Sequence, residues 1–152
     1  MGDERRLKQV MLNLVKNATK FTQKGSIDIS ASYDIKTSNL IVHVKDSGAG
    51  IDPEDFSKLF SRFGKLHRTA KLNNEGIGLG LTIVKEIVEK CGGTIGVKSE
   101  GINRGSLFYF NMNMEVCDDQ VSRQTSNASL RITEENKDEK RAFIENLEDR
   151  KV

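Results

Sequence analysis

The nine residues from Gly76 to Val84, GIGLGLTIV, constrain this chain more than any other stretch. Gly76, Gly78 and Gly80 alternate with Ile77 and Leu79. Leu81, Ile83, Val84, Ile87 and Val88 then follow at helical spacing. A glycine-rich loop therefore opens directly onto a helix. Its glycines let backbone approach a neighbour closely, and the helix offers free N–H groups and a positive dipole end. Two readings stay open on this stretch alone. It is either an anion site, such as a phosphate cradle, or a tight turn that packs a helix on a sheet. The spacing fails the Gly-x-Gly-x-x-Gly dinucleotide fingerprint, and no Gly-x-x-x-x-Gly-Lys-Ser/Thr loop occurs.

Composition narrows the setting. A chain of 152 residues is long enough to bury one core, yet 36% apolar and 30% charged residues leave part of it outside. A net charge of +2 provides no bulk attraction to nucleic acid or a membrane surface, so neither is an expected partner. No apolar run approaches the roughly 18 residues of a spanning helix, and MGDERRLK has no apolar signal region. Arg6 stands where N-myristoylation wants Ser or Thr. Cys91 and Cys117 are isolated, which argues against a disulfide or zinc site. A reduced, cytoplasmic setting is the expectation.

From Glu4 to Phe21, Leu7, Val10, Met11, Leu14, Val15, Ala18 and Phe21 fill one side of a helix. Gln9, Asn13, Asn17 and Lys20 share another side, within roughly 80° of arc. Two amides and an amine in a stripe differ from an ordinary Glu/Lys solvated face. Either this is a plain polar face, or it faces a ligand. In the second case an Asn carbonyl suits a hard cation and Lys suits a phosphate.

Gly25 stops the helix, and Ile27, Ile29 and Ala31 then alternate with polar residues as a half-buried strand. Leu40 to Val44 makes the second strand of a hairpin. His43 lies on its polar phase, as a surface residue. The strand runs into Asp46-Ser47-Gly48-Ala49-Gly50-Ile51, which reads either as a capped turn or as a polar anchor in a pocket wall. Asp52-Pro53-Glu54 starts a short helix. His67 to Glu75, flanked by Arg62 and Lys65, is a basic connection that is either a lid or a solvated loop. Gly92-Gly93 ends the next helix, and Thr94 to Val97 and Leu107 to Phe110 read as strands. The core is expected to end near Val116. Residues 117–152 read as a polar, charged tail or linker, partly helical through Phe143, Ile144 and Leu147 if something covers it.

Four stretches, RLKQVMLNLVKNATKFT, DSGAGI, LFSRFGKL and GIGLGLTIVK, together resemble the ATP-binding catalytic domain of sensor histidine kinases, including the hybrid type. That domain belongs to the GHKL superfamily with DNA gyrase B, heat-shock chaperones and mismatch-repair ATPases. The resemblance covers roughly residues 3 to 114. It implies an α/β (α+β) two-layer sandwich of the Bergerat type, with a mixed, mostly antiparallel sheet, about three helices (4–21, 53–60 and 79–91) and a flexible ATP lid. Residues 1–116 would be this domain.

Carried over residue by residue, the resemblance makes Asn17 the Mg²⁺ ligand and Asn13 a support for the phosphates. Lys20 and Lys65 would act with them on the phosphates, and Phe21 would pack against the nucleotide. Asp46 would accept from the adenine amino group, with Gly48, Gly50 and Ile51 forming the approach for the base. Gly76, Ile77, Gly78, Leu79, Gly80 and Leu81 would close over the phosphates. Phe60 and Phe63 would hinge the lid. Hydrolysing relatives carry Glu four residues before the metal-binding Asn. Asn13 stands there in this chain, and an amide does not take a proton near neutral pH.

The resemblance therefore implies a protein histidine kinase. It would bind Mg·ATP and transfer the γ-phosphoryl group to a histidine on a separate dimerisation and phosphoacceptor domain, in two-component signalling with a response-regulator receiver. The alternative is a catalytically inactive nucleotide-binding regulatory module. Two departures stand out: Lys65 where many relatives have Arg, and neither His43 nor His67 in an acceptor setting. The strand that usually precedes the first motif is missing, so a fragment or truncated product of a larger kinase is expected.

Overall fold

The computed structural model describes residues 2–61, 79–115, 126–133, 141–142 and 144–146. Helix α1 spans Gly2–Phe21, and its apolar stripe delivers Val10, Leu14, Val15 and Ala18 to the core, each at most 4% exposed. Burial of each Val or Leu side chain contributes about 1.5–3 kcal/mol. That is what holds a helix with so many polar residues on the sheet. Strands β1 (Ser26–Asp34) and β2 (Asn39–Asp46) form the expected hairpin, paired Ile29 to Val44 and Ile27 to Asp46. Its turn is organised by Asp34, whose carboxylate accepts from the Lys36 N–H at 3.0 Å and the Thr37 hydroxyl at 2.9 Å.

Asp52 caps a 3₁₀ turn at Pro53–Asp55, which leads into the single turn α2 (Phe56–Leu59) and buries Leu59. Helix α3 (Gly80–Lys90) buries Val84 and Val88 and ends at Gly92, whose φ of +68° suits glycine. Strands β3 (Thr94–Lys98) and β4 (Ser106–Asn113) follow. The sheet order is β3-β4-β2-β1-β5, with α1 and α3 on one face. Two layers were expected and two are present. The sheet is not mixed among the described residues: all four ladders are antiparallel.

The tail departs from expectation. Residues Ser126–Thr133 form β5, which pairs along the whole outer edge of β1. Ile132 stands opposite Ile27 and is only 3% exposed, and Leu130 packs against the same core. Residues 141–142 and 144–146 are helical, and Ile144 also packs on the core. Residues 126–133 of the stretch beyond Val116 therefore pair with the sheet. These eight residues extend the sheet edge, because an edge strand with one core-facing side needs few apolar residues.

Candidate functional site

Asp46 ends β2 and is 4% exposed, a burial that a carboxylate tolerates only when its oxygens are occupied. One oxygen accepts the Gly48 N–H at 2.9 Å, and the other accepts the Ser106 hydroxyl at 2.5 Å. The ladder between β2 and β4 places Ser106 directly opposite Asp46. Residues 47–51 are then fastened on three sides. The Ser47 N–H donates to Ser26 of β1, the Ala49 N–H to Phe21 at the end of α1, and the Ile51 N–H to the Ser99 hydroxyl. In return, the carbonyls of Gly48 and Ala49 accept from Gly105 and Asn103 of the β3–β4 loop.

The glycines in this segment are dictated by space. A Cβ on Gly48 would lie 2.3 Å from the Phe21 carbonyl oxygen, and one on Gly50 only 2.1 Å from that of Gly101. Gly50 also has φ of +66°, where a side chain is strained. The Asp46 seat is therefore a preformed, backbone-lined corner against the C-terminal end of α1. Ile51 is 7% exposed and belongs to the core beneath it.

From that corner the polar stripe of α1 runs back toward α3. Lys20 lies over the Phe21 ring at 5.8 Å, and Asn17 and Asn13 are half-buried, one and two turns further back. Asn13 and Phe21 are about 12 Å apart along the axis at 1.5 Å per residue. Asn13 Nδ2 donates to the Gln9 carbonyl at 2.9 Å, while its Oδ1 lies 3.1 Å from where a Gly80 Cβ would stand. The first residue of α3 is thus seated on Asn13. At the other end of the pair, Arg6 reaches the Cys91 sulfur at 3.9 Å, so the two helices run antiparallel. The N-terminus of α3 and the Asn13 amide of α1 meet at one point.

The sequence-predicted residues Asn13, Asn17, Lys20, Phe21, Asp46, Gly48, Gly50 and Gly80 are brought together along this line. Leu79 precedes α3, Leu81 and Phe60 pack against the core cluster, and Phe60 ends α2. Phe63, Lys65, Gly76, Ile77, Gly78 and the stretch His67 to Glu75 lie outside the described residues. Ser106, Ser99 and Ser47 were missed, and only strand register could have found the first of them. His43 is exposed on the opposite sheet face, 6.4 Å from the Tyr109 ring. It borders a shallow hollow of about 290 Å³ lined mainly by small side chains of β1 and β5, away from the Asp46 corner.

Among the described residues no group of three or more His, Cys, Asp or Glu could hold a metal ion. No described helix is long and apolar enough to cross a membrane.

Residues 2–116 match the family described as histidine kinase-, DNA gyrase B- and HSP90-like ATPases. The signal transduction histidine-protein kinase BarA of Escherichia coli K12 is 38% identical over 119 residues, which is 76% of this chain and 13% of BarA. The chain thus spans about an eighth of the curated relatives it matches. Among solved structures, full-length ShkA in complex with AMPPNP is similar at a TM-score of 0.61 and 33% identity, covering 73% of this chain and 22% of ShkA. The nucleotide-free catalytic domain of histidine kinase ThkA is similar at 0.56 and 35%, covering 70% and 66%. The mycobacterial sensor histidine kinase MprB is similar at 0.57 and 28%, covering 68% and 67%.

Proposed function

The chain belongs to the family of histidine kinase-, DNA gyrase B- and HSP90-like ATPases, as an ATP-binding domain of the histidine kinase kind, and we propose that it delivers the γ-phosphoryl group of Mg·ATP to a histidine on a separate phosphoacceptor domain. In this reading the acceptor passes the group to a response-regulator receiver, as two-component signalling requires.

One observation carries the proposal. A buried, doubly anchored carboxylate and a helix N-terminus lie at opposite ends of one amide-lined stripe on α1. Asp46 is acceptor-only when ionised, so it suits the exocyclic amine of adenine and repels a carbonyl oxygen in the same place. Lys20 and the first N–H groups of α3 then meet the phosphates, which carry charge that both attract. Phe21 supplies apolar surface at the Asp46 end.

The donor chemistry fits Mg²⁺. Asn17 offers a neutral hard oxygen, and Mg²⁺ typically takes one or two protein ligands and completes its shell with water and substrate phosphates. When bound, the ion neutralises charge on the phosphates. The chain's own residues position the nucleotide. Asn13 takes no proton, so no base for water stands one turn before Asn17. A site that holds ATP without activating water suits transfer to an external acceptor, where positioning and electrostatics do most of the work.

Calorimetric titration with a non-hydrolysable ATP analogue, with and without Mg²⁺, is the first test. Labelling of an added acceptor domain as an acid-labile, base-stable phosphohistidine is the second. Binding without labelling of any suitable acceptor would replace the kinase reading with the regulatory one.

A further inference from the structure

Both oxygens of Asp46 are held by residues whose backbones lead to the same third residue, Ser99. On one side, Asp46 Oδ1 accepts from Gly48, and the chain then runs to Ile51, whose N–H donates to Ser99 Oγ at 3.0 Å. On the other, Oδ2 accepts from Ser106, whose neighbour Gly105 accepts the Ser99 hydroxyl proton at 2.6 Å. A longer contact from the Gly101 N–H at 3.3 Å occupies what remains of the hydroxyl, and the Gly101 carbonyl, also at 3.3 Å, is a weaker second acceptor for the proton that goes to Gly105. A serine hydroxyl has one proton and two lone pairs, and here all three are used. Ser99 therefore closes a ring: Asp46, Gly48 to Ile51, Ser99, Gly105, Ser106, and back to Asp46.

The ring is built on residues that bend at little cost. Gly48, Gly50 and Gly105 all lie in it, and glycine resists little. Gly50 and Gly105 hold φ of +66° and +70°, a region that glycine enters and leaves at little cost. The Gly105 N–H to the Gly48 carbonyl, at 3.1 Å, and the Asn103 N–H to the Ala49 carbonyl, at 2.7 Å, also span the ring, but neither reaches Ile51. Ser99 is the side chain that ties the Ile51 end.

We propose that Ser99 is a positioning residue for base recognition. By closing this ring it holds the Asp46 carboxylate rigid, so that the site selects a 6-amino over a 6-oxo purine nucleotide. The proposal rests on the nucleotide reading above. Ser99 itself touches neither base nor phosphate in it. An unlocked carboxylate can swing or take up water beside a 6-oxo group, so losing Ser99 costs both affinity and discrimination.

The test is calorimetric titration of the full chain, as wild type and as Ser99→Ala, Ser99→Thr and Ser99→Cys, with ATP and with GTP. Circular dichroism melts define a temperature at which each is folded. Ser99→Ala leaves the Ile51 N–H and the Gly105 carbonyl without their partner, and two lost hydrogen bonds correspond to a weakening for ATP of about tenfold. The ATP-to-GTP preference narrows with it. Ser99→Thr keeps the hydroxyl and restores both to within about threefold, a rescue that depends on the same bonds. Val97→Ala, in β3 and outside the ring, lowers the melting temperature without changing the preference. If Ser99→Ala does not fold, Ser99→Cys, whose thiol is a weak donor and acceptor, shows the same narrowing.

Wild-type affinity and preference in a folded Ser99→Ala or Ser99→Cys chain overturn the proposal, provided that Asp46→Asn weakens ATP. If Asp46→Asn has no effect, or the wild type binds no ATP, the nucleotide reading itself fails and takes this inference with it.

Discussion

Replacing Ile132 by Ala tests whether the distal strand is part of the folding unit. Ile132 is 3% exposed on β5, opposite Ile27 at 2%, and packs into the same core as α1. Truncating a buried Ile to Ala costs about 2–5 kcal/mol, and an edge strand can relax toward the gap, so about 3 kcal/mol is expected. For a chain of 152 residues, each kcal/mol lowers Tm by about 2–4 °C, which makes the expected drop about 10 °C. The matched control is Asn127→Ala on the same strand. Asn127 is exposed on the other phase, and surface changes of that kind stay within about 0.5 kcal/mol. Thermal melts of the three full-length chains by circular dichroism supply the numbers. If Ile132→Ala melts with the wild type, β5 is not part of the cooperative unit and does not share the core of β1.

Three further outcomes follow from the same geometry. Asp46→Asn keeps the fold, because the Ser106 hydroxyl can turn to accept the new amide while the Gly48 N–H keeps its oxygen. It should weaken an ATP analogue by about 10- to 100-fold in calorimetry, as expected when a charged hydrogen-bond acceptor becomes neutral. Gly50→Ala forces a side chain to φ of +66° and against the Gly101 carbonyl, so melting temperature and nucleotide affinity should fall together; an unaffected variant would mean that residues 48–51 are not held as described. The Thr37 hydroxyl, followed by the Lys36 N–H, holds the Asp34 carboxyl below its ordinary pKa of 3.8. A depressed carboxyl contributes stability above that ordinary value and loses it as pH falls through the lowered one. Thr37→Ala should therefore move the Asp34 titration upward by NMR, and an unmoved titration would show that the turn is not bonded this way.

What could be read from the residues depended on how far apart the interacting partners lie. Within one helix or strand the period alone decides which side is buried, and α1, β1 and β2 show the expected faces. The same period also put Asn13, Asn17 and Lys20 on one stripe. Across strands the information is register, which no single stretch carries. Ser106 begins β4 without any local peculiarity, and it becomes a ligand of Asp46 only because Val42 pairs with Phe110 four positions along the ladder. Ser99 requires the β3–β4 loop to fold back over residues 48–51 as well, a second non-local step. Strand β5 is faint in the sequence for a different reason. Ala128, Leu130 and Ile132 do alternate, but an edge strand covered on one face shows only this thin signal among charges. The glycines mark the same limit from the other side. Gly48 and Gly50 advertise close approach in the sequence, whereas what approaches them, the Phe21 and Gly101 carbonyls, is decided by the fold. A preformed corner of this kind therefore needs its glycines at one place in the chain and its hydroxyls at two others, and only the sheet brings all three around Asp46.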